Sequence, residues 1–181
     1  MKPSITLKVL LGLLCAVTVT IPTVALAGIR QTGFDFESPR ESWWFAGGAG
    51  LDYGKGLEHS GKGNGWVRNT SGWNAVNNCV NVEPNSECTV AAWLRKSNTL
   101  TDGYMSVRRL NRDGSVGTVI NEVKLVGAGS PNPQNRGYNR YTFNFNSGSN
   151  SKVLFYVGLW GNGKDSWVQV DDVVVSCPTP F

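Results

Sequence analysis

The sequence predicts an all-β fold, an antiparallel β-sandwich or barrel. Three observations carry that prediction. No stretch sustains the 3.6-residue periodicity of an amphipathic helix. Short apolar or alternating runs recur along the chain instead, and clusters of Gly, Asn, Ser and Asp separate them. One of those clusters, "NRDGS" (111–115), is a hairpin turn through Asp113-Gly114.

Ten runs read as strands: "FDFES" (34–38), "SWWFA" (42–46), "GWVRN" (65–69), "NAVNNCVNV" (74–82), "CTVAAWLR" (88–95), "YMSVRRL" (104–110), "VGTVINEVKLV" (116–126), "YNRYTFNF" (138–145), "KVLFYVGLW" (152–160) and "WVQVDDVVV" (167–175). "GAGSPNPQNRG" (127–137) is a loop, and no inter-domain linker interrupts the pattern. Alternation assigns faces. Val90, Ala92 and Leu94 oppose Ala91, Trp93 and Arg95. Tyr141, Phe143 and Phe145 oppose Arg140, Thr142 and Asn144. Val153, Phe155, Val157 and Leu159 oppose Leu154, Tyr156, Gly158 and Trp160. The first set of each group belongs to the core. The opposite sets leave Trp93, Tyr156 and Trp160 on faces that need no core aromatics.

In the last strand, "SWVQVDDVVVS" places Asp171 and Asp172 where strands deplete Asp. If Val168 and Val170 face the core, Asp172 and Val174 share that face. If Val173 and Val175 face it, the strand must bulge at the doublet.

Residues 1–27 read as a secretory signal peptide. Lys2 and Lys8 precede the apolar run Val9–Val17, and "ALA" (25–27) forms a small-x-small cleavage site. The expected mature chain, 28–181, is one domain, secreted to the extracellular space or the periplasm. It keeps 15 basic against 13 acidic residues, too slight and scattered a charge for nucleic acid. No other segment is apolar enough to insert in a membrane. Cys15 leaves with the signal, so Cys79, Cys88 and Cys177 remain. Cys79 and Cys88 bracket "VNVEPNSE", whose Pro84-Asn85 is a turn signal, and a Cys79–Cys88 disulfide across a hairpin is expected. Three free thiols, or a bridge from Cys177 to either of the others, are the alternatives.

The ordered set "FDFES", "SWW", "EHSGKGNGWV" (58–67), "VNVEPNSECTVAAWLRK" (80–96), "NRYTFNF" and "VQVDDVVV" resembles the galactose-binding-like jelly roll. It is most similar to the secreted carbohydrate-binding modules of the four/nine type, over residues 33–176. The resemblance implies a structural calcium ion joining the two ends of the sandwich. Its ligands would be Glu37, the Asp35 carbonyl, the carbonyls of His59 and Lys62, and Asp171. The chemistry suits calcium, which takes six to eight hard oxygen donors.

Other chemistries have less support. His59 is the only histidine, which gives no nucleophile–base–orienter set and no zinc spacing. A glycosidase needs two carboxylates about 5–9 Å apart across a cleft. Asp35, Glu37, Glu41, Asp171 and Asp172 match the metal cluster of the fold better, so the chain is read as non-catalytic. Sugar recognition uses aromatic faces beside a few placed polar groups. Trp73 with Asn74 and Asn77, Trp160 with Asn162, and Trp93 with Arg95 are combinations of that kind. Trp73, Trp160, Trp93, Arg95, Asn162 and Tyr156 are therefore the candidate glycan-binding residues, and one of Trp43 and Trp44 plugs the core. The expected partner is a polysaccharide or other glycan, with a protein partner as the alternative use of the same scaffold.

Overall fold

The computed structural model describes residues 28–38, 42–127 and 133–179. The expected leader, with Cys15, and Glu41 lie outside them. Nine strands follow in chain order: β1 (Gly28–Phe34), β2 (Trp44–Ala46), β3 (Ala49–Tyr53), β4 (Gly63–Asn81), β5 (Glu87–Lys96), β6 (Gly103–Leu110), β7 (Val116–Leu125), β8 (Asn139–Asn146) and β9 (Lys152–Thr179). A 3₁₀ turn, Pro133–Asn135, precedes β8. Every pairing is antiparallel, so the expected all-β class holds.

β4 and β9 form a long ribbon, paired from Gly65↔Val170 to Asn81↔Lys152 with a register shift between Asn69 and Ser71. Each half of the ribbon builds one layer. Along Val153–Leu159, the free edge of β9 takes β6, which carries β7. β2 lies on the far edge of β4. Along Val168–Ser176, β9 instead takes β5, which carries β8, and β3 pairs with the first part of β4. β1 pairs with the end of β9.

The core fills the space between the layers. Val76, Met105, Val107, Phe155, Val157 and Leu159 come from one layer; Val67, Val90, Ala92, Leu94, Val168 and Val170 come from the other. Of these, Val90, Ala92, Leu94, Phe155, Val157 and Leu159 are in the inward sets that alternation assigned. Trp43 closes one end, stacked on Phe36 at 4.3 Å and edge-on to Phe34 and Phe155. Trp44 is exposed, so Trp43 is the plug.

The structure corrects several local readings and decides the one left open at the Asp doublet. "FDFES" is not a strand, because β1 ends at Phe34 and Phe36 turns through φ +60. "GWVRN" and "NAVNNCVNV" are halves of β4, and "KVLFYVGLW" and "WVQVDDVVV" are halves of β9. The Asp doublet is a bulge: Ala91 pairs with Val174 but Trp93 pairs with Asp171. One extra residue is thereby inserted, and Asp172 takes φ +45. That is how Val168, Val170, Val173 and Val175 all reach the core.

The expected Cys79–Cys88 disulfide is wrong. β9 lies between β4 and β5, so these two strands make no hairpin. Cys79 faces Leu154 and is a free thiol. Cys88 precedes the Thr89↔Ser176 pair and is bonded to Cys177, the alternative left open by the sequence.

Candidate functional site

The outward face of the β4–β9–β6–β7 layer carries an aromatic cleft. Antiparallel register puts cross-strand partners side by side on one face. One row across the layer is Ala75, Gly158, Tyr104 and Lys124; the next is Asn77, Tyr156, Ser106 and Glu122. Ala75, Gly158 and Ser106 keep the floor low, and larger side chains rise around it. Trp73 and Trp160 are direct partners at one end. Their rings lie 5.5 Å apart, tilted by 50°, and Tyr156 meets Trp73 edge-on at 5.4 Å. The cavity, about 360 Å³, is completed by Tyr104, Arg108, Val119 and Glu122.

Trp73 depends on Gly158 for its position. A Cβ there would stand 2.6 Å from Trp73 Cη2, so the indole lies across the glycine. Trp160 is 50 % exposed. Tyr104 Oη donates to Asp102 Oδ1 at 2.6 Å. That bond, with burial and the Asp102 charge behind it, pushes the phenol up to about 12. Arg108 Nε is buried with no hydrogen-bond partner among the described residues. An unused donor beside flat aromatic faces suits a ligand with both C–H surface and hydroxyl acceptors.

The structure brings together Trp73, Trp160 and Tyr156. Asn162 lies close by on β9, with its amide bonded to Thr101 Oγ1. Trp93 and Arg95 lie apart from these, on the outward face of the other layer. Trp93 is covered by the His59 ring, stacked at 4.0 Å and 14°, so it offers no open face there. Arg95 Nε donates to Gln169 Oε1 at 2.7 Å. Tyr104, Arg108 and Glu122 were missed by the sequence reading. Alternation in "YMSVRRL" puts Tyr104 and Arg108 on one face, but only the pairing of β6 with β9 shows what they face.

The residues expected to hold calcium lie along the 59–63 loop, where the carboxylates of Asp171 and Glu37 each accept backbone amides of the loop. Asp171 Oδ2 accepts the amides of His59 at 2.8 Å and Ser60 at 3.1 Å, and its Oδ1 accepts the Asp172 amide at 2.7 Å. Glu37 Oε1 accepts the amides of Lys62 and Gly63 at 2.6 and 2.7 Å. Asp35 Oδ1 accepts the Glu37 amide, and the Lys62 carbonyl accepts the Gly54 amide. The His59 ring contributes as well as its backbone: Nδ1 contacts Asp172 Oδ2 at 2.6 Å. Among the described residues no group of three or more His, Cys, Asp or Glu gathers at one point. The fit to a cation rests on Asp171. It is 0 % exposed, forms no ion pair among the described residues, and is pushed up to about 7 chiefly by burial. A buried anion of this kind is relieved by a positive charge.

No protein-family model and no curated protein matches the chain by sequence. Solved structures do match it in shape. The CBM22-1 xylan-binding domain of Paenibacillus barcinonensis Xyn10C superposes with TM-score 0.58 at 14% identity, over 87% of this chain and 100% of that one. The CBM22-1-GH10 modules of Clostridium thermocellum xylanase 10B, complexed with xylohexaose, give TM-score 0.52 at 14% identity, over 81% of this chain and 27% of that one. The K1 cleaved adhesin domain of Lys-gingipain from Porphyromonas gingivalis W83 gives 0.55 at 11% identity, over 84% and 99%. The chain therefore has the jelly-roll β-sandwich fold of these domains.

Proposed function

We propose that the exported chain is a non-catalytic carbohydrate-binding β-sandwich whose ligand lies across Trp73, Trp160 and Tyr156. The observation that carries this reading is the cleft itself. Four aromatic rings, Trp73, Trp160, Tyr156 and Tyr104, surround a floor of small residues, with the unpartnered Arg108 Nε and the Glu122 carboxylate beside them. Glu122 is the one carboxylate among the lining residues, whereas glycoside hydrolysis uses two, which favours binding over turnover. Likeness in shape to a xylan-binding domain supports a polysaccharide as the ligand class. Export is supported by the Cys88–Cys177 bridge, since disulfides persist in oxidising compartments.

Calcium belongs to the same proposal. Glu37, Asp171 and the carbonyls of Asp35, His59 and Lys62 would hold it, and it would supply the positive charge that Asp171 lacks. The stability of the sandwich would then depend on the ion, while the cleft on the other layer would bind sugar by itself.

A polysaccharide pull-down or glycan array on the exported chain tests the binding claim. Trp160→Ala should weaken binding about tenfold, the loss expected for one well-placed aromatic contact. Its melting temperature should hardly move, because the ring is half exposed. Retention of any glycan by wild type and Trp160→Ala alike, or by neither, overturns the reading.

A further inference from the structure

A second cavity, about 380 Å³, opens on the outward face of the β4–β9–β5 layer, with the core between it and the aromatic cleft. Its size is within the range of small-ligand sites. Register builds it: Trp66 stands opposite Gln169, Gln169 opposite Arg95, and Arg68 opposite Trp167 in the next row. Asp52 adds a wall from β3. Two indoles, an amide, two guanidiniums and a carboxylate thus surround one depression.

The charges in it are not all balanced. Asp52 is paired with Lys55 at 2.7 Å, and Arg68 with Asp165 at 2.5 Å. Glu58, on the neighbouring loop, is taken by Arg136 at 2.6 Å. Arg95 has no acidic partner among the described residues. Its Nε donates to the neutral Gln169 amide and its Nη1 to the Arg136 carbonyl. Its Cζ lies 5.7 Å from the ring centres of both Tyr138 and Trp167. A guanidinium carries five N–H donors in a fixed fork, so donors remain. Trp66 Nε1 is a further buried donor without a partner among the described residues. Gln169 is buried and holds Arg95 from the neighbouring strand.

We propose that this cavity is a second binding site, for a sugar that bears a carboxylate, such as a uronic acid residue of a polysaccharide. Arg95 takes the carboxylate, for which its planar fork is matched. Trp66 and Trp167 cover the sugar ring, and Trp66 Nε1 donates to a ring hydroxyl. The site stands on the opposite layer from the aromatic cleft and does not depend on that cleft binding anything. With both sites filled, one domain would bridge two polysaccharide chains.

The test is a titration of the exported chain with D-glucuronic acid, with D-glucose as control, followed by the indole N–H signals in NMR. Trp66→Phe and Trp167→Phe assign the two signals. Expected are shifts at Trp66 and Trp167 with glucuronate, unchanged in Trp160→Ala, and weaker by about tenfold with glucose or in Arg95→Gln, the worth of one charge-assisted contact. If Arg95→Gln lowers the melting temperature sharply, Arg95→Lys, which keeps charge and stem, should still weaken binding several-fold. The proposal is overturned by the absence of shifts, by shifts confined to Trp73 and Trp160, or by equal response to glucose and glucuronate. Affinity unchanged in the folded Arg95 variant overturns it too.

Discussion

Gly158 decides where Trp73 can lie, and Asp171 decides what the 59–63 loop closes upon. A Cβ at Gly158 would also come 2.8 Å from the Asn74 carbonyl oxygen, which is backbone and cannot swing away. Gly158→Ala is therefore expected to cost about 1–3 kcal/mol, the range for forced overpacking. It should also weaken glycan binding, because Trp73 must leave its place against Trp160. Urea denaturation and a pull-down read the two effects separately, and an unchanged pair of values would disprove this role of the glycine. Asp171 carries the calcium prediction. An ion that binds only the folded chain stabilises it by about 2.7 kcal/mol at a hundred times its Kd. Chelator should then lower the melting temperature by about 5–10 °C for a chain of this size. Asp171→Ala should remove that response. Equal melting of the wild type with and without calcium would remove the ion from the reading. The neighbouring Asp172 shows how far a single residue was legible. Broken alternation in "VQVDDVVV" left a bulge as one of two readings, and the structure has one. That His59 would stack on Trp93 and reach Asp172 was not legible, since those contacts join residues more than thirty positions apart.

At the scale of elements, β9 is the strand on which the others depend, because β1, β4, β5 and β6 all pair with it. The Cys88–Cys177 bridge joins the start of β5 to the end of β9 across a sequence separation of 89 residues. Restricting so long a loop in the unfolded chain is the main source of disulfide stabilisation. Replacing both cysteines by Ala should cost about 2–5 kcal/mol in a denaturant titration. Cys79→Ser should cost far less, and among the cysteines of the described residues thiol labelling of the unreduced chain should find Cys79 alone. Labelling at Cys88 or Cys177 would contradict the observed pairing. β5, β6, β7 and β8 were readable almost residue for residue, because each is short and bounded by turn signals. β4 and β9 read as two strands apiece. "NTSG" and "GNGKD" are strong turn signals, and here they are absorbed by the shift at Asn69/Ser71 and by Gly163 at φ +90 inside a continuous ribbon. β3, "AGLDY", was missed because it is brief and glycine-containing, and its pairing with β4 holds it in place.

For the whole molecule, the consequence of the shared ribbon is cooperativity. Both layers contain β4 and β9, so neither can lose its strands without opening the other. Unfolding in guanidinium should be a single transition, with far-UV circular dichroism and tryptophan fluorescence coinciding. Two separated transitions would show that the layers are independent. Most pairings join distant parts of the chain, β1 with β9 above all, so folding is expected in milliseconds to seconds rather than microseconds. The sequence by itself determined the all-β class and the inward face of the strands whose alternation is unbroken, and it left a bulge at the Asp doublet as one of two readings. Those are local properties, carried by a two-residue periodicity and by turn chemistry. Only the tertiary structure decided which strands are neighbours. Neighbourhood placed Cys177 beside Cys88, set Tyr104, Arg108 and Glu122 around Trp73 and Trp160, and put Trp93 and Arg95 on the opposite layer. Pairing of that kind is chosen by what the whole chain can bury at once, and no short segment records it.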